Sequence, residues 1–314
     1  MIRFPLVIFS YNRPEYLEKL FISLSICKNI KNRKIFFFCD GPKNNNDKIN
    51  ISKIRRLLKK YNFLNFSKII FNEKNIGLYQ NIKKGCNYVF KRHVSAIILE
   101  DDLILHEKSL IFFDYYLNRF KNDKRIGSIS AFSYINIINK KLFFYKLKRH
   151  SSWGWGTWRH KWFEFNKFNL SEVDLKNVDL NLIGYDFPLL VWAKKNLLIN
   201  SWAVDFNVFC LIKNYLSIQP SQSLVINNGE NTSGTNYFNF FHLKKLKKDK
   251  FFNNKITLLD IKKNYFKKYK YSDLIVRNFH KKSIRLFFFK ILQGVQLNFS
   301  FLYIKLFNIS NNSR

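Results

Sequence analysis

Three adjacent acids, Glu100-Asp101-Asp102, follow the apolar run Val94 to Leu99. The run reads as a buried strand, and the acids stand at its carboxyl end. The chain carries 55 Lys plus Arg against 21 Asp plus Glu, so three consecutive carboxylates stand out. Neighbouring carboxylates repel unless a cation holds them, and a hard divalent metal is the counter-ion that oxygen ligands suit. Such a metal can carry a diphosphate, so the triplet points to a metal-assisted nucleotide site. There Asp102 binds the metal and Asp101 accepts a hydrogen bond from a ribose. The competing reading is a solvated loop after a strand.

Other residues join it. Asp40 ends a second apolar run and could accept a hydrogen bond from a base N–H, or only bond its own turn. Arg13 stands where a first strand gives way to a helix, and helix N-terminal amides with a guanidinium suit an anionic or carbonyl-bearing ligand. In Asn75-Ile76-Gly77-Leu78, the glycine permits a tight turn. Trp153-Gly154-Trp155-Gly156-Thr157-Trp158 offers indoles to stack on a sugar ring or to pack as an aromatic cluster. Asp205, three residues after Trp202, is the candidate base to take a proton from an attacking hydroxyl, with Asp186 and Glu230 as rivals. The six histidines lack metal-binding spacing. The four cysteines show no CxxC and read as buried free thiols, with no zinc site.

The elements that must position these groups alternate through residues 1–135. Strands are expected over 4–9, 34–39, 67–71, 94–99 and 126–131, and helices over 14–27, 47–61, 78–92 and 107–120. This order predicts an α/β fold with a parallel, doubly wound sheet. Ligands in such sheets bind outside the carboxyl ends of the strands. The polar loops 10–13, 40–46 and 100–102 all fall on that rim. Residues 136–240 read as less regular, with Gly- and aromatic-rich loops, a helix over 185–196 and a polar loop over 227–236. Residues 241–314 change character, with 18 Lys plus Arg against three Asp. Residues 283–306 mix Leu, Phe and Ile with basic residues, which suits an amphipathic segment on anionic lipid or a packed helix with a solvated basic face.

The 314 residues fit one large domain, or one domain with an appendage, and 47% hydrophobic residues suffice for a core. A net charge of +34 implies an anionic partner. No nucleic-acid module is visible, so nucleic acid is not the expected partner. Arg3 and Pro5 interrupt the start, so no signal peptide is expected. No apolar stretch is long enough to predict a spanning helix.

The opening Val7-Ile8-Phe9-Ser10-Tyr11-Asn12-Arg13-Pro14, the Glu100-Asp101-Asp102 triplet, the Trp153–Trp158 segment and the spacing from Trp202 to Asp205 together resemble the GT-A class of glycosyltransferases. The resemblance covers about residues 4–240. Within that class, the chain resembles bacterial sugar transferases related to N-acetylglucosaminyltransferase I. The resemblance implies a GT-A (Rossmann-like), mostly parallel sheet flanked by helices. It divides the chain into a nucleotide-sugar-binding half (1–135), an acceptor-binding and catalytic half (136–240) and a basic C-terminal region (241–314), read as helical. It implies an inverting, metal-dependent transfer from a nucleotide-sugar donor to a glycan or lipid-linked acceptor, such as a lipopolysaccharide or capsule precursor. Arg13 and Asp40 would hold the nucleobase, Asp101 the ribose and Asp102 a Mn²⁺ or Mg²⁺ ion. Glu100 would lie near the donor sugar, and Asp205 would be the base. The expected location is cytoplasmic, peripheral on the inner face of the membrane. One departure is Ser233-Gly234-Thr235-Asn236, where relatives commonly end the motif in histidine. Two competitors remain. A sugar-nucleotidyltransferase needs a Gly-rich phosphate loop that Ser10–Pro14 lacks. A non-catalytic membrane- or polyanion-binding protein would have no use for the triplet.

Overall fold

The computed structural model describes residues 2–134 and 144–229. The expectations for residues 241–314, the rival base Glu230 and most of the loop 227–236 lie outside the described residues. The first half runs β1 (Leu6–Ser10), α1 (Pro14–Ser25), β2 (Ile35–Cys39), α2 (Asn45–Lys60), β3 (Phe66–Phe71), α3 (Leu78–Phe90), β4 (Ser95–Glu100), β5 (Leu103–Leu105), α4 (Ser109–Arg119) and β6 (Ile126–Ser130). Apart from β5, each lies where its pattern of apolar residues predicts it. In α1, Pro14 occupies the first turn, where its missing N–H costs nothing. Leu17, Leu20, Phe21 and Leu24 bury one face of that helix at helical spacing.

The second half runs β7 (Phe144–Leu147), β8 (Trp155–Trp158), α5 (Arg159–Asn166), α6 (Phe187–Lys195), α7 (Trp202–Ile212), β9 (Leu216–Pro220) and β10 (Val225–Asn227). Over residues 144–229 this part is more regular than expected, and α6 lies on the helix expected over 185–196. One eight-stranded sheet has the order β3-β2-β1-β4-β8-β6-β9-β7, and β5 pairs with β10 in a small second sheet. β3, β2, β1 and β4 are parallel neighbours. β8 enters antiparallel between β4 and β6, and β7 is antiparallel to β9. The sheet is therefore mixed but mostly parallel, with helices on both faces. All four residues of β8 are buried. A central strand covered on both faces shows no polar alternation, so its glycines and tryptophans read as a loop in the sequence.

Alternation within the strands splits the core. Leu6, Ile8, Phe37, Ile97 and Leu99 face α1, α2 and α4. Val7, Phe9, Phe38, Ala96 and Ile98 face α3, α5 and α7. All four cysteines are free and buried, as expected. Trp155 stacks on Trp202 at 5.0 Å between ring centroids, and Trp158 donates through Nε1 to Leu117 O at 3.0 Å. These two indoles are core and not sugar platforms. Trp153 is half-buried against Phe132.

His150 lies in this aromatic layer against Trp155, Trp202 and Phe206. Its Nδ1 meets Ser128 Oγ at 2.9 Å, and its Nε2 has no partner among the described residues. Burial pushes its pKa down to about 3, against about 6.5 in an unfolded chain. Between those values the unfolded chain binds the extra proton, so stability falls as pH drops through that window. The expected slope from this residue is at most about 1.4 kcal/mol per pH unit. Urea unfolding from pH 7 to pH 4 should show it, and His150→Phe should remove it; an equal acid loss in both proteins would refute the assignment.

Candidate functional site

The carboxyl ends of β1, β2 and β4 meet at a cleft of about 240 Å³. Its walls are the turn Ser10–Arg13, Asp40, the turn 75–78, and Glu100 with Asp101. Four sequence candidates, Arg13, Asp40, Glu100 and Asp101, thus line one cleft, with Asp102 at its edge.

The acids stand together because β4 ends in the middle of the sheet. Asp101 is buried and accepts from Ser10 Oγ at 3.0 Å, from Tyr11 N at 3.2 Å and from Arg13 Nη2. The same Arg13 Nη2 reaches Asp102 Oδ2 at 3.3 Å. Arg13 Nη1 is buried and has no acceptor among the described residues. Burial, then the charges of Asp102 and Asp101, raise the Glu100 pKa, which a hydrogen bond from Trp202 opposes. Burial also raises that of Asp102, against the pull of Arg13. Among the described residues the ion pairs of the cluster are those of Arg13 with Asp101 and Asp102, and Lys43 also lines the cleft.

The turn that carries Arg13 is fastened by Asp47, which the sequence reading placed only within a helix. Asp47 accepts from Tyr11 Oη and Asn12 Nδ2, both at 2.5 Å, and from Lys43 N at 2.9 Å. Asp47 follows the helix cap Asn44 by three residues, and Asn44 in turn accepts from its N–H. That spacing was the available signal.

Asp40 is buried and engaged by loops. Its Oδ1 accepts from Gly41 N at 2.8 Å, Ile76 N at 2.9 Å and Asn72 Nδ2 at 3.2 Å, and its Oδ2 from Gly77 N at 2.9 Å. Three of these donors share Oδ1 and one reaches Oδ2, which keeps an acceptor position. Asp40 thus bonds its turn and shapes the cleft by holding residues 76–77. Gly77 has φ +79°, so the tight turn expected there is present.

Asp205 lies in the first turn of α7, whose first residue, Trp202, bonds Glu100. Asp205 is buried beside Lys194, with Nζ–Oδ2 3.4 Å, and is hydrogen-bonded to Tyr79. Its Oδ1 has no partner among the described residues. Burial raises its pKa, and Lys194 and Tyr79 oppose the rise. Asp205 is not among the cleft-lining residues and adjoins the cleft through Tyr79, next to Leu78. The rival Asp186 is held by Arg149 through both oxygens, at 2.6 and 2.9 Å, so it is structural.

The β5–β10 pair closes the acid loop from the other side. Asn228 N donates to Asp102 O at 2.7 Å. A Cβ on Gly229 would fall 2.5 Å from Asp102 Oδ2, so the chain passes directly over this acid.

A divalent metal fits here as a site completed by its ligand. Among the described residues no group of three ligating side chains forms a cage. Mg²⁺-type sites commonly use one or two carboxylates, with phosphates and water for the rest. Asp102, the adjoining acids and a guanidinium N–H with no acceptor among the described residues supply the protein's part.

No family model matches the chain, and no curated protein matches it. Several solved structures share elements of the fold. A mannosyltransferase from Pyrobaculum calidifontis, in complex with GDP-mannose and Mn²⁺, is 9% identical over 68% of this chain and 70% of its own, with a TM-score of 0.43. A cytidylyltransferase from Leptospira borgpetersenii is 12% identical over 82% of this chain and 100% of its own, with a TM-score of 0.38. TarS 1–349 from S. aureus, in complex with UDP, is 12% identical over 71% of this chain and 60% of its own, with a TM-score of 0.40.

Proposed function

We propose that the chain is an inverting, metal-dependent glycosyltransferase of the GT-A class that uses a nucleotide-sugar donor. One observation carries the reading: Glu100, Asp101 and Arg13 line one cleft at the carboxyl ends of the sheet strands, the same guanidinium reaches Asp102, and its Nη1 has no acceptor among the described residues. A cleft that holds acids together with a guanidinium donor unpartnered among the described residues suits a ligand that brings both a cation and anionic oxygens. The order of the triplet and the Trp153–Trp158 segment supports the narrower kinship with bacterial transferases related to N-acetylglucosaminyltransferase I.

Asp102 holds the Mn²⁺ or Mg²⁺ ion, which when bound offsets charge on the departing diphosphate. Asp101 keeps one acceptor position for a ribose hydroxyl beyond its three donors. Asp40 braces the 76–77 turn at the nucleobase end. Glu100, fixed by Trp202, faces the donor sugar. Asp205 is the base that takes the proton of the acceptor hydroxyl as that oxygen attacks the anomeric carbon, and its buried Oδ1 has no partner among the described residues. Burial raises the pKa of Asp205 and so its basicity, and Lys194 and Tyr79 oppose that rise.

The acceptor is a glycan or lipid-linked glycan, such as a lipopolysaccharide or capsule precursor. The basic residues 241–314 would hold the enzyme on the anionic inner face of the membrane. No helix among the described residues is long and apolar enough to cross a membrane.

Thermal unfolding with a panel of nucleoside diphosphates, with and without Mn²⁺, tests the reading. A ligand that binds only the folded state raises the midpoint. A rise of several degrees with one base, present only with Mn²⁺, is expected. No rise with any nucleotide, in folded protein, would falsify the proposal.

A further inference from the structure

The resemblance implies a nucleobase contact for Arg13, and in the structure its guanidinium lies against Asp101 and Asp102. Its Nη2 bridges Asp101 and Asp102, while its Nη1 is buried with no acceptor among the described residues. We propose that Arg13 is a two-position counter-charge: without ligand it neutralises Asp101 and Asp102, and with a metal-bound diphosphate it releases Asp102, keeps Asp101 and donates through Nη1 to an anionic oxygen of the ligand. The inference rests on the metal–diphosphate reading of this cleft.

The geometry explains why both contacts to Asp102 cannot persist. Arg13 Nη2 lies 3.3 Å from Asp102 Oδ2. A metal bound by that carboxylate would sit about 2.1 Å from an oxygen, so two cations would face each other across a few ångströms. In a buried cleft that repulsion is weakly screened. A metal arriving alone must therefore displace the guanidinium from Asp102. A metal arriving with a diphosphate brings the anion that Nη1 lacks, and Nη2 retains the Asp101 partner. Arg13 thus opposes bare metal and favours the metal–nucleotide pair, so the cleft fills with both or neither. Its position suits this exchange. Arg13 is the residue before α1, and its guanidinium carbon lies 5.4 Å from the Tyr16 ring centroid, a contact that does not depend on Asp102.

The test measures two affinities in the full chain. Mn²⁺ alone is titrated by the loss of its free EPR signal, and UDP and GDP are titrated calorimetrically in saturating Mn²⁺. Arg13→Gln should bind Mn²⁺ alone at least about tenfold more tightly, because an opposing charge has gone. The same variant should bind the nucleotide with Mn²⁺ at least about tenfold more weakly, because a charge-assisted donor has gone. A merely structural arginine would weaken both or change neither, and either outcome overturns the proposal. Arg13→Lys keeps the charge but not the fork. It should leave Mn²⁺ affinity near wild type and weaken the nucleotide, and it carries the test should the glutamine variant not fold. Wild-type nucleotide affinity in Arg13→Lys would then refute the role. If wild type binds neither nucleotide with Mn²⁺ while Arg13→Gln still tightens Mn²⁺, the transferase reading and the second position fail and only the first position stands.

Discussion

Asp102→Ala is expected to abolish Mn²⁺-dependent stabilisation by nucleoside diphosphate and to lower transferase turnover by about a thousandfold or more. The loss follows from the role. A cation at a departing diphosphate contributes several kcal/mol of charge stabilisation, and roughly 4 kcal/mol corresponds to three orders of magnitude in rate. The fold should not suffer. The side chain of Asp102 meets Arg13, while the anchor to Asn228 is through its backbone oxygen and survives the substitution. Removing one of three crowded carboxylates relieves repulsion, so the ligand-free melting temperature should hold or rise. Asp205→Asn provides the contrast. It should keep the Mn²⁺-dependent nucleotide shift and lose about 10²- to 10⁴-fold in turnover, the range for a lost general base. Turnover near wild type in Asp102→Ala would remove the metal from the mechanism; the same result in Asp205→Asn would remove that residue as base.

Asp114→Ala is expected to cost about 3–5 kcal/mol of folding stability, the range for breaking a buried ion pair by removing one partner. Arg33 and Asp114 have no exposed side-chain surface. Arg33 Nη1 and Nη2 donate to the two Asp114 oxygens at 2.9 and 2.5 Å, and Nη1 also donates to Phe4 O at 2.6 Å. Asp114 Oδ1 further accepts from Phe4 N at 3.1 Å. This cluster ties α4 to the segment just before β1 and the chain before β2. Without Asp114 the guanidinium stays buried with an uncompensated charge, and Phe4 N loses its acceptor. The effect is read as a lower urea midpoint at unchanged slope. A loss below about 1 kcal/mol would mean that water or a rearranged partner replaces the carboxylate. Because the pair lies away from the cleft, nucleotide affinity of the folded variant should match wild type.

How far the sequence spoke depends on the range of the interactions involved. Apart from β5, the alternation of strand and helix through residue 130 was legible, because the strands there are short apolar runs and the helices carry apolar faces at helical spacing. The convergence of Ser10–Arg13, Asp40 and the acids on one rim was legible too, since parallel strands place their carboxyl ends together. In the second half the helix over 185–196, seen as α6, was legible, and most of the rest was not. β8 is buried on both faces and reads as a Gly–Trp loop. β5 and β10 are three residues each and exist because they pair with each other. The helical frame of α7 was hidden because it is apolar almost all round, which leaves no periodic stripe to detect.

By itself, the sequence determined the α/β half-sheet, the place of the acids at a strand's carboxyl end and the need of that place for positive charge. These follow from local pattern and from the chemistry of three adjacent carboxylates. Only the tertiary structure decided which partner each polar group takes. It put Asp40 on the 76–77 turn, Asp186 on Arg149, Asp47 on the β1–α1 turn and Arg13 on the acids themselves. The reason is that a buried polar atom bonds to whatever the packing brings within about 3 Å, and that neighbour can lie anywhere along the chain.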